Sequence, residues 1–243
     1  EYVAYGGYPS IVLEENTEKK KVLLKNLFQT YIEKDIVFLL NLHRAEAYTS
    51  LIKLLAGQTG RILNISFLAS NVGISMPVLK KYLWYAEKTF AIRTITPYFR
   101  NIRKEITKAP CIYFHDLGLR NYSLNVFGRI TTPEESGFLF QNFVCNWLLE
   151  KIKWKGYSLH FWRTTDKSEV DFVINKGTDL LPVEVKFSKL QKPQLKRSLR
   201  SFIEKYKPKT AWVINISLSM EKTINDTTVK FLPFYKMSSE DFD

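Results

Sequence analysis

Apolar residues recur every three or four positions through the first half of the chain, a spacing that predicts helices. From Thr17 to about Leu42, Leu24, Leu27, Phe28 and Tyr31 would form one buried stripe. Lys19, Lys20 and Lys21 oppose the dipole at the start of this helix, so packing must hold that end. Ala47 to Ala56 carries Leu51, Leu54 and Leu55 on one face, and Gly57 with Gly60 ends it. A short helix from Asn64 to Asn71 leads through Val72-Gly-Ile-Ser75 into a helix reaching about Ala91, with Ser75 as its cap and Pro77 in its first turn. Short helix, glycine turn and longer helix make a helix-turn-helix pattern. Ile92 to Ile106 then reads as a hairpin with Arg100, Asn101, Arg103 and Lys104 near its tip, which would make the unit winged.

The pattern changes after Thr132. Glu134 to Lys153 reads as a helix with Phe138, Phe140, Phe143, Val144, Trp147, Leu148 and Ile152 largely on one side. Three strand-like runs follow, Tyr157–Arg163, Val170–Ile174 and Leu180–Phe187. Pro193 opens a helix with Leu195, Leu199, Phe202, Ile203 and Tyr206 as its stripe, and Ala211–Ile216 and Val229–Phe234 are two more strands. The expected class is α/β (α+β overall): a helical segment over residues 1–42, a winged helix over 43–125 and an α/β domain over 126–243.

Composition narrows the partners. The chain has 243 residues, 36 Lys and Arg against 24 Asp and Glu, and a net charge of +12. Between Lys186 and Lys209 nine basic residues meet one acid, Glu204, which makes a local field rather than a scattered excess. Nucleic acid is the first partner that field suggests, because each phosphate contact releases a counterion. An anionic membrane surface or an acidic protein would answer the same charge. Outward residues of the third helix, Lys80, Lys81 and Trp84, suit phosphate contact and stacking but lack the side chains of strong base reading. Protein contact fits them equally. Two cysteines 34 residues apart and three scattered histidines argue against zinc and against a disulfide framework. No apolar run approaches the roughly 20 residues of a membrane span, and a cytosolic setting is expected.

The candidate chemistry lies between Glu169 and Lys186. Alternate residues of a strand share a face, so Glu184 points with Lys186, and Glu169 with Asp171. If the two strands pair around Gly177, carboxylates and an ammonium converge at one sheet end. Such a group suits a divalent metal such as Mg²⁺ with a cation beside an attacked phosphate. A polar edge hairpin with surface ion pairs is the plainer alternative.

The order helix, three strands, helix, strand resembles the core of the PD-(D/E)XK restriction-endonuclease-like superfamily. Asp171 matches its Asp, and Glu184 with Lys186 matches its Glu-x-Lys. Gly7-Tyr8-Pro9, Tyr31-Ile-Glu-Lys-Asp35, Tyr113-Phe-His-Asp-Leu-Gly-Leu119, Gly137-Phe-Leu-Phe-Gln-Asn-Phe-Val144 and Phe161-Trp-Arg163 add a further likeness. Together they look like the C-terminal region, DUF4143, of a prokaryotic AAA-type ATPase family. The resemblance implies a winged helix, a nuclease-like domain and an N-terminal ATPase half absent from this chain. Residues 1–42 would then be the end of the ATPase lid or a connector. No G-x-x-x-x-G-K-[ST] is present, and Gly57-Gln-Thr-Gly-Arg61 is too short to replace it, so this chain is expected to bind no ATP.

The resemblance assigns catalysis to Asp171, Glu184 and Lys186, and places Arg163 at the same site. It also implies a Glu where this chain has Gln141, which can ligate a metal without bringing charge. Glu150 faces the opposite side of the helix and cannot replace it, whereas Glu169 shares a face with Asp171. A weakened or inactive nuclease is therefore expected above an active one. Expected nucleic-acid contacts are Lys80, Lys81, Trp84, Arg100, Arg103, Lys104, Arg163 and Lys189. Asp116, before a glycine-containing turn, is expected to bond backbone amides. The competing expectation is an interaction module for a partner protein or the ATPase, with a vestigial acidic site.

Overall fold

The computed structural model describes residues 1–36, 45–127, 132–166, 168–240 and 242. The chain mixes helices and sheets in two compact units, residues 1–94 with 109–143 and residues 95–108 with 144–243. The α/β class expected from the sequence is found. No helix among the described residues is long and apolar enough to cross a membrane.

The first unit is mostly helical. Thr17–Phe28 is α-helical and continues as a π-helix over Gln29–Ile36, while the expected end near Leu42 lies outside the described residues. The lysine-rich start is held locally: Asn16 accepts hydrogen bonds from the Glu18 and Lys19 amides, and buried Lys20 pairs with Glu1. Leu24 and Phe28 are buried. Helices Ala45–Gly57, Ile65–Val72 and Met76–Lys88 pack Leu51, Leu55, Leu68, Leu79, Tyr82 and Leu83 into one core. Asn64 caps the middle helix through the Phe67 amide, and Gly73 at φ 70° ends it in the left-handed conformation glycine tolerates. Ser75 stands at the next N-cap but makes no side-chain capping bond there, contrary to expectation. Pro77 supplies the preset first turn instead.

The expected wing is not formed. Strand β1 is Ile92–Ile95, and its partner is β2, Cys111–Phe114, rather than a return strand near residue 104. Between them Ile102–Thr107 is a helix, because Asn101 accepts from the Arg103 amide as an N-cap. Thr96 and Tyr98 bond instead to Phe161, at 3.2 and 2.6 Å, so this segment belongs to the second unit. Arg100 and Arg103 therefore sit in that unit, and the Lys104 side chain lies outside the described residues.

The second unit is built on a six-stranded sheet in the order β3-β4-β5-β6-β8-β7, with β3 at Ser158–Arg163, β4 at Glu169–Asn175, β5 at Leu180–Val185, β6 at Thr210–Asn215, β7 at Met220–Ile224 and β8 at Thr227–Pro233. The first three strands form an antiparallel meander. A crossover through the helix Arg197–Tyr206 then places β6 parallel to β5, and β8 lies parallel to β6. Pro193 does not open that helix: Lys196 remains extended at φ −64°, ψ 151°, and Arg197 is its first residue. Leu199, Phe202 and Ile203 pack on Val173, Ala211 and Val213 of the sheet. Strand β7 was not anticipated.

Candidate metal and phosphate site

Strand register brings the acidic residues together. Phe172 of β4 pairs with Val183 of β5, so one step further along the antiparallel ladder Asp171 stands opposite Glu184. Glu184 in turn pairs with Val213 of parallel β6, whose side chain packs against the Arg197–Tyr206 helix. The acidic group thus opens on the helix-covered face, at the end where the helix begins. The Lys186 amide donates to Ile214 at 2.8 Å, which carries the parallel pairing past the strand end and keeps Lys186 on the Glu184 side.

Glu184 is 1% exposed. Its two carboxylate oxygens lack any hydrogen-bond donor, an unusual state for a buried polar group. Two ammonium groups compensate its charge from the long edge of hydrogen-bonding range: Lys186 Nζ lies 3.4 Å and Lys196 Nζ 3.6 Å from Oε1. Lys186 donates its hydrogen bond to the Gln194 carbonyl at 2.7 Å. Asp171 is fixed differently, accepting from the Val185 amide at 2.7 Å through Oδ2.

Burial pushes the pKa of Glu184 above the ordinary carboxylate value, against the pull of Lys196 and Lys186, while the Asp171 charge adds to the rise. Burial likewise raises Asp171, opposed by Lys196, the Val185 hydrogen bond and Lys186. At Lys196 burial works against the ammonium, but the Asp171 and Glu184 charges outweigh it and hold its pKa above the usual lysine value. The group is one coupled cluster of two acids and two bases.

The donor set suits a hard cation held by few protein ligands. Among the described residues no three His, Cys, Asp or Glu side chains come together as a metal-ligand group. Mg²⁺ needs only one or two carboxylates and keeps waters for the rest of its shell. Orphaned oxygens on buried Glu184, across from Asp171, fit that requirement. The two lysines are the competitors for the same charge.

Each of the other expected site residues has surroundings of its own. Arg163 faces Glu169 across β3 and β4, with Nη1 3.4 Å from Oε2. This ion pair offsets the Glu169 charge. Burial and the Asp171 charge raise the Glu169 pKa, while Arg163 and Lys196 lower it. Gln141 is buried in the first unit, on the helix Pro133–Ile152, packed so closely on Gly60 that a Cβ there would lie 2.8 Å from its Oε1. Lys80 and Lys81 are exposed on Met76–Lys88, and Trp84 is 54% exposed beside Tyr85. Lys81 Nζ lies over the Tyr85 ring and Lys88 Nζ over Trp84. Arg100, Arg103 and Lys189 are exposed. Asp116 bonds backbone as expected, accepting from the Gly7 amide at 2.7 Å and the Leu119 amide at 2.9 Å.

Sequence reasoning missed Lys196. Nothing local marks it among nine clustered basic residues. The signal available was topological: a helix crossing over from β5 to β6 must begin near the β5 end, so the residue before it reaches Glu184.

Residues 1–129 match the family described as Domain of unknown function (DUF8612), and residues 136–237 match Domain of unknown function (DUF4143). The DUF4143 match is narrower than the likeness read from the motifs, since Gly7-Tyr8-Pro9 and Tyr113–Leu119 fall in the other family. An uncharacterized protein of Mycobacterium bovis is 24% identical over 198 residues, covering 81% of this chain and 44% of its own length. One of Mycobacterium tuberculosis has the same values. An uncharacterized protein of Haemophilus influenzae is 27% identical over 194 residues, 77% of this chain and 45% of its own. The chain spans less than half the length of these relatives. With 129 of its 243 residues matched, the chain belongs to the DUF8612 family, and it carries a DUF4143 domain over residues 136–237.

Proposed function

We propose that the sheet-bearing part of the chain is a PD-(D/E)XK nuclease-like, nucleic-acid-binding domain with a divalent cation at Asp171 and Glu184. The observation that carries this reading is Glu184, a buried carboxylate with two orphaned oxygens, opposite Asp171 and beside two lysines. When bound, Mg²⁺ would supply Lewis-acid polarisation of a phosphate and acidify a water. Asp171 and Glu184 bind and orient the ion. Lys186, anchored by Gln194, presents a positive charge where phosphate charge develops. Lys196 opposes the burial that raises the Glu184 pKa. Arg163, tied to Glu169, steadies the strand end and borders the site.

Gln141 in place of a Glu leaves the family pattern one charge short, so cleavage by this chain is weak or absent. DNA contact falls to Lys80, Lys81 and Trp84 in the first unit and, separately, to Arg100, Arg103 and Lys189 in the second. The greater length of the relatives leaves room for a further domain, and an N-terminal AAA-type ATPase is the one the resemblance implies. No nucleotide triphosphate site is assigned to this chain.

A second reading applies to Met76–Lys88 alone. Met76 is 53% and Trp84 54% exposed there, and the basic wing that would complete a DNA contact is absent. That favours a protein partner for this helix.

The test uses supercoiled and single-stranded DNA with Mg²⁺ and Mn²⁺. Any cleavage is expected to vanish in Asp171→Ala; cleavage at full rate in that variant shows the site is elsewhere. If wild type is inert and Gln141→Glu cuts, the missing carboxylate is the cause. Reversing the charges of Lys80, Lys81, Arg103 and Lys104 is expected to weaken salt-sensitive DNA binding, and unchanged affinity removes the DNA reading.

A further inference from the structure

The second unit holds an aromatic and basic groove at the other end of the Arg197–Tyr206 helix. Phe99, Arg100 and Asn101 line it with Lys205 and Tyr206, around a volume of about 290 Å³. That is close to the roughly 300 Å³ at which small-molecule sites begin. Tyr206 is its rigid wall: its ring lies 4.5 Å from Phe202, 5.7 Å from Tyr98 and 6.2 Å from Trp162, centroid to centroid. Arg100 Cζ and Lys205 Nζ stand 5.7 and 5.3 Å from the same ring centroid. Both cations rest on aromatic faces, and neither forms an ion pair with a carboxylate among the described residues. A rigid ring, a second aromatic, a planar guanidinium and an uncompensated ammonium around open space match a flat group carrying a negative charge.

We infer that this groove seats an unpaired nucleotide of a nucleic-acid strand, its base against Phe99, Tyr206 and the Arg100 plane and its phosphate on Lys205. The inference rests on the nucleic-acid reading above and adds the substrate class. A base can stack on protein rings only when it is not paired, so the groove selects single strands or frayed ends over intact duplex. Lys196, beside Glu184, immediately precedes the helix, and Tyr206 is its last residue. Ten helical residues at about 1.5 Å each separate the two by about 15 Å. At about 3.4 Å per phosphate in a stacked strand, that is about four nucleotides, fewer if the strand is stretched. One strand could therefore reach from the groove to the acidic site.

The experiment is fluorescence anisotropy of the whole chain in EDTA with labelled oligo-dT, oligo-U and a duplex of the same length. Either single strand is expected to bind more tightly than the duplex. Arg100→Lys keeps the charge and removes the plane, and Phe99→Ala removes a ring without touching charge. Each is expected to weaken single-strand binding by roughly tenfold and duplex binding by much less. Melting curves confirm that both variants fold; if Phe99→Ala does not, Arg100→Lys decides alone. Unchanged single-strand affinity in Arg100→Lys, equal losses on single strand and duplex, or duplex bound with no single-strand binding overturns the inference. Mn²⁺ calorimetry on the same protein reports separately on Asp171 and Glu184, so a failed metal site and a failed groove give different results.

Discussion

Val185 donates its backbone N–H to Asp171 Oδ2 at 2.7 Å, tying the β4 carboxylate to the peptide between Glu184 and Lys186. One side chain thereby joins the strand that carries the Asp to the strand that carries the Glu and the Lys. The bond gives Asp171 a structural role beside the metal-binding role proposed for it.

Asp171→Asn and Asp171→Ala should separate those two roles. The Asn carbonyl can still accept from Val185, whereas Ala leaves the amide without its partner, a loss of about 1–3 kcal/mol. Thermal melts should therefore rank Ala below Asn by several degrees, at about 2–4 °C per kcal/mol for a chain of this size. Both variants should lose Mn²⁺ binding in calorimetry. Equal melting of the two would show that the Val185 bond contributes nothing.

Glu184→Gln should stabilise the metal-free protein above the ordinary carboxylate range. Burial raises the Glu184 pKa in the fold, so the folded state takes up its proton more readily than the unfolded chain. The stability linked to that proton is fully present below the unfolded value of about 4.3 and lost as pH rises through the folded value. A Gln has no proton to lose. At pH 8 the variant should melt higher than wild type, and at pH 4 the gap should close. Adding Mn²⁺ at pH 8 should raise the wild-type melting temperature and leave the variant unmoved. A variant less stable than wild type at pH 8 would mean the lysines more than offset the burial of Glu184.

Lys196→Ala should change the pH dependence of metal binding in two opposed ways. Lys196 lowers the pKa of Glu184, so its removal moves the onset of Mn²⁺ binding to higher pH. Lys196 is also a cation 3.6 Å from the ligand oxygen, so above that onset its removal should strengthen binding. Calorimetric titrations from pH 5 to 9 should show the two curves cross. Parallel curves would indicate that Lys196 does not share the site.

Much of this arrangement was legible from periodicity, and the failures have physical causes. Alternation put Glu184 with Lys186 and Glu169 with Asp171, and the register of the paired strands then sets Asp171 opposite Glu184. Strand β7 escaped because Met220 to Lys222 and Thr223 are all exposed, so no buried face marks it. Its signal was the turn that follows, where Asn225 adopts φ 51° ahead of β8. The expected wing failed because Arg100, Asn101, Arg103 and Lys104 were read for charge, whereas Asn101 acts as a helix cap. Pro97 reinforces that outcome, since it lacks the N–H an inner strand needs. Lys196 and the Arg100–Tyr206 groove depend on contacts between segments distant in sequence, and no local pattern carries them.

Asp116 offers a check on the first unit that is independent of any metal. Its Oδ2 accepts from Gly7 and its Oδ1 from Leu119, so it caps the helix Leu117–Ser123 and pins a loop more than 100 residues earlier. The fit around it is close: a Cβ at Gly6 would lie 2.2 Å from Oδ1, and one at Gly118 would lie 2.0 Å from the Tyr5 carbonyl. Burial raises the Asp116 pKa, against the Gly7, Leu119 and Gly118 amides that lower it. Asp116→Ala removes the cap, worth about 0.5–2 kcal/mol, and leaves the Gly7 amide unpaired for about 1–3 kcal/mol more. The melting temperature should fall by about 5 °C or more, whereas Mn²⁺ affinity should be unchanged where the protein remains folded. Asp116→Asn keeps a carbonyl acceptor and should recover only part of the loss, since an uncharged oxygen makes the weaker bond. If Asp116→Ala melts like wild type, the Gly-Tyr-Pro loop is held by packing alone.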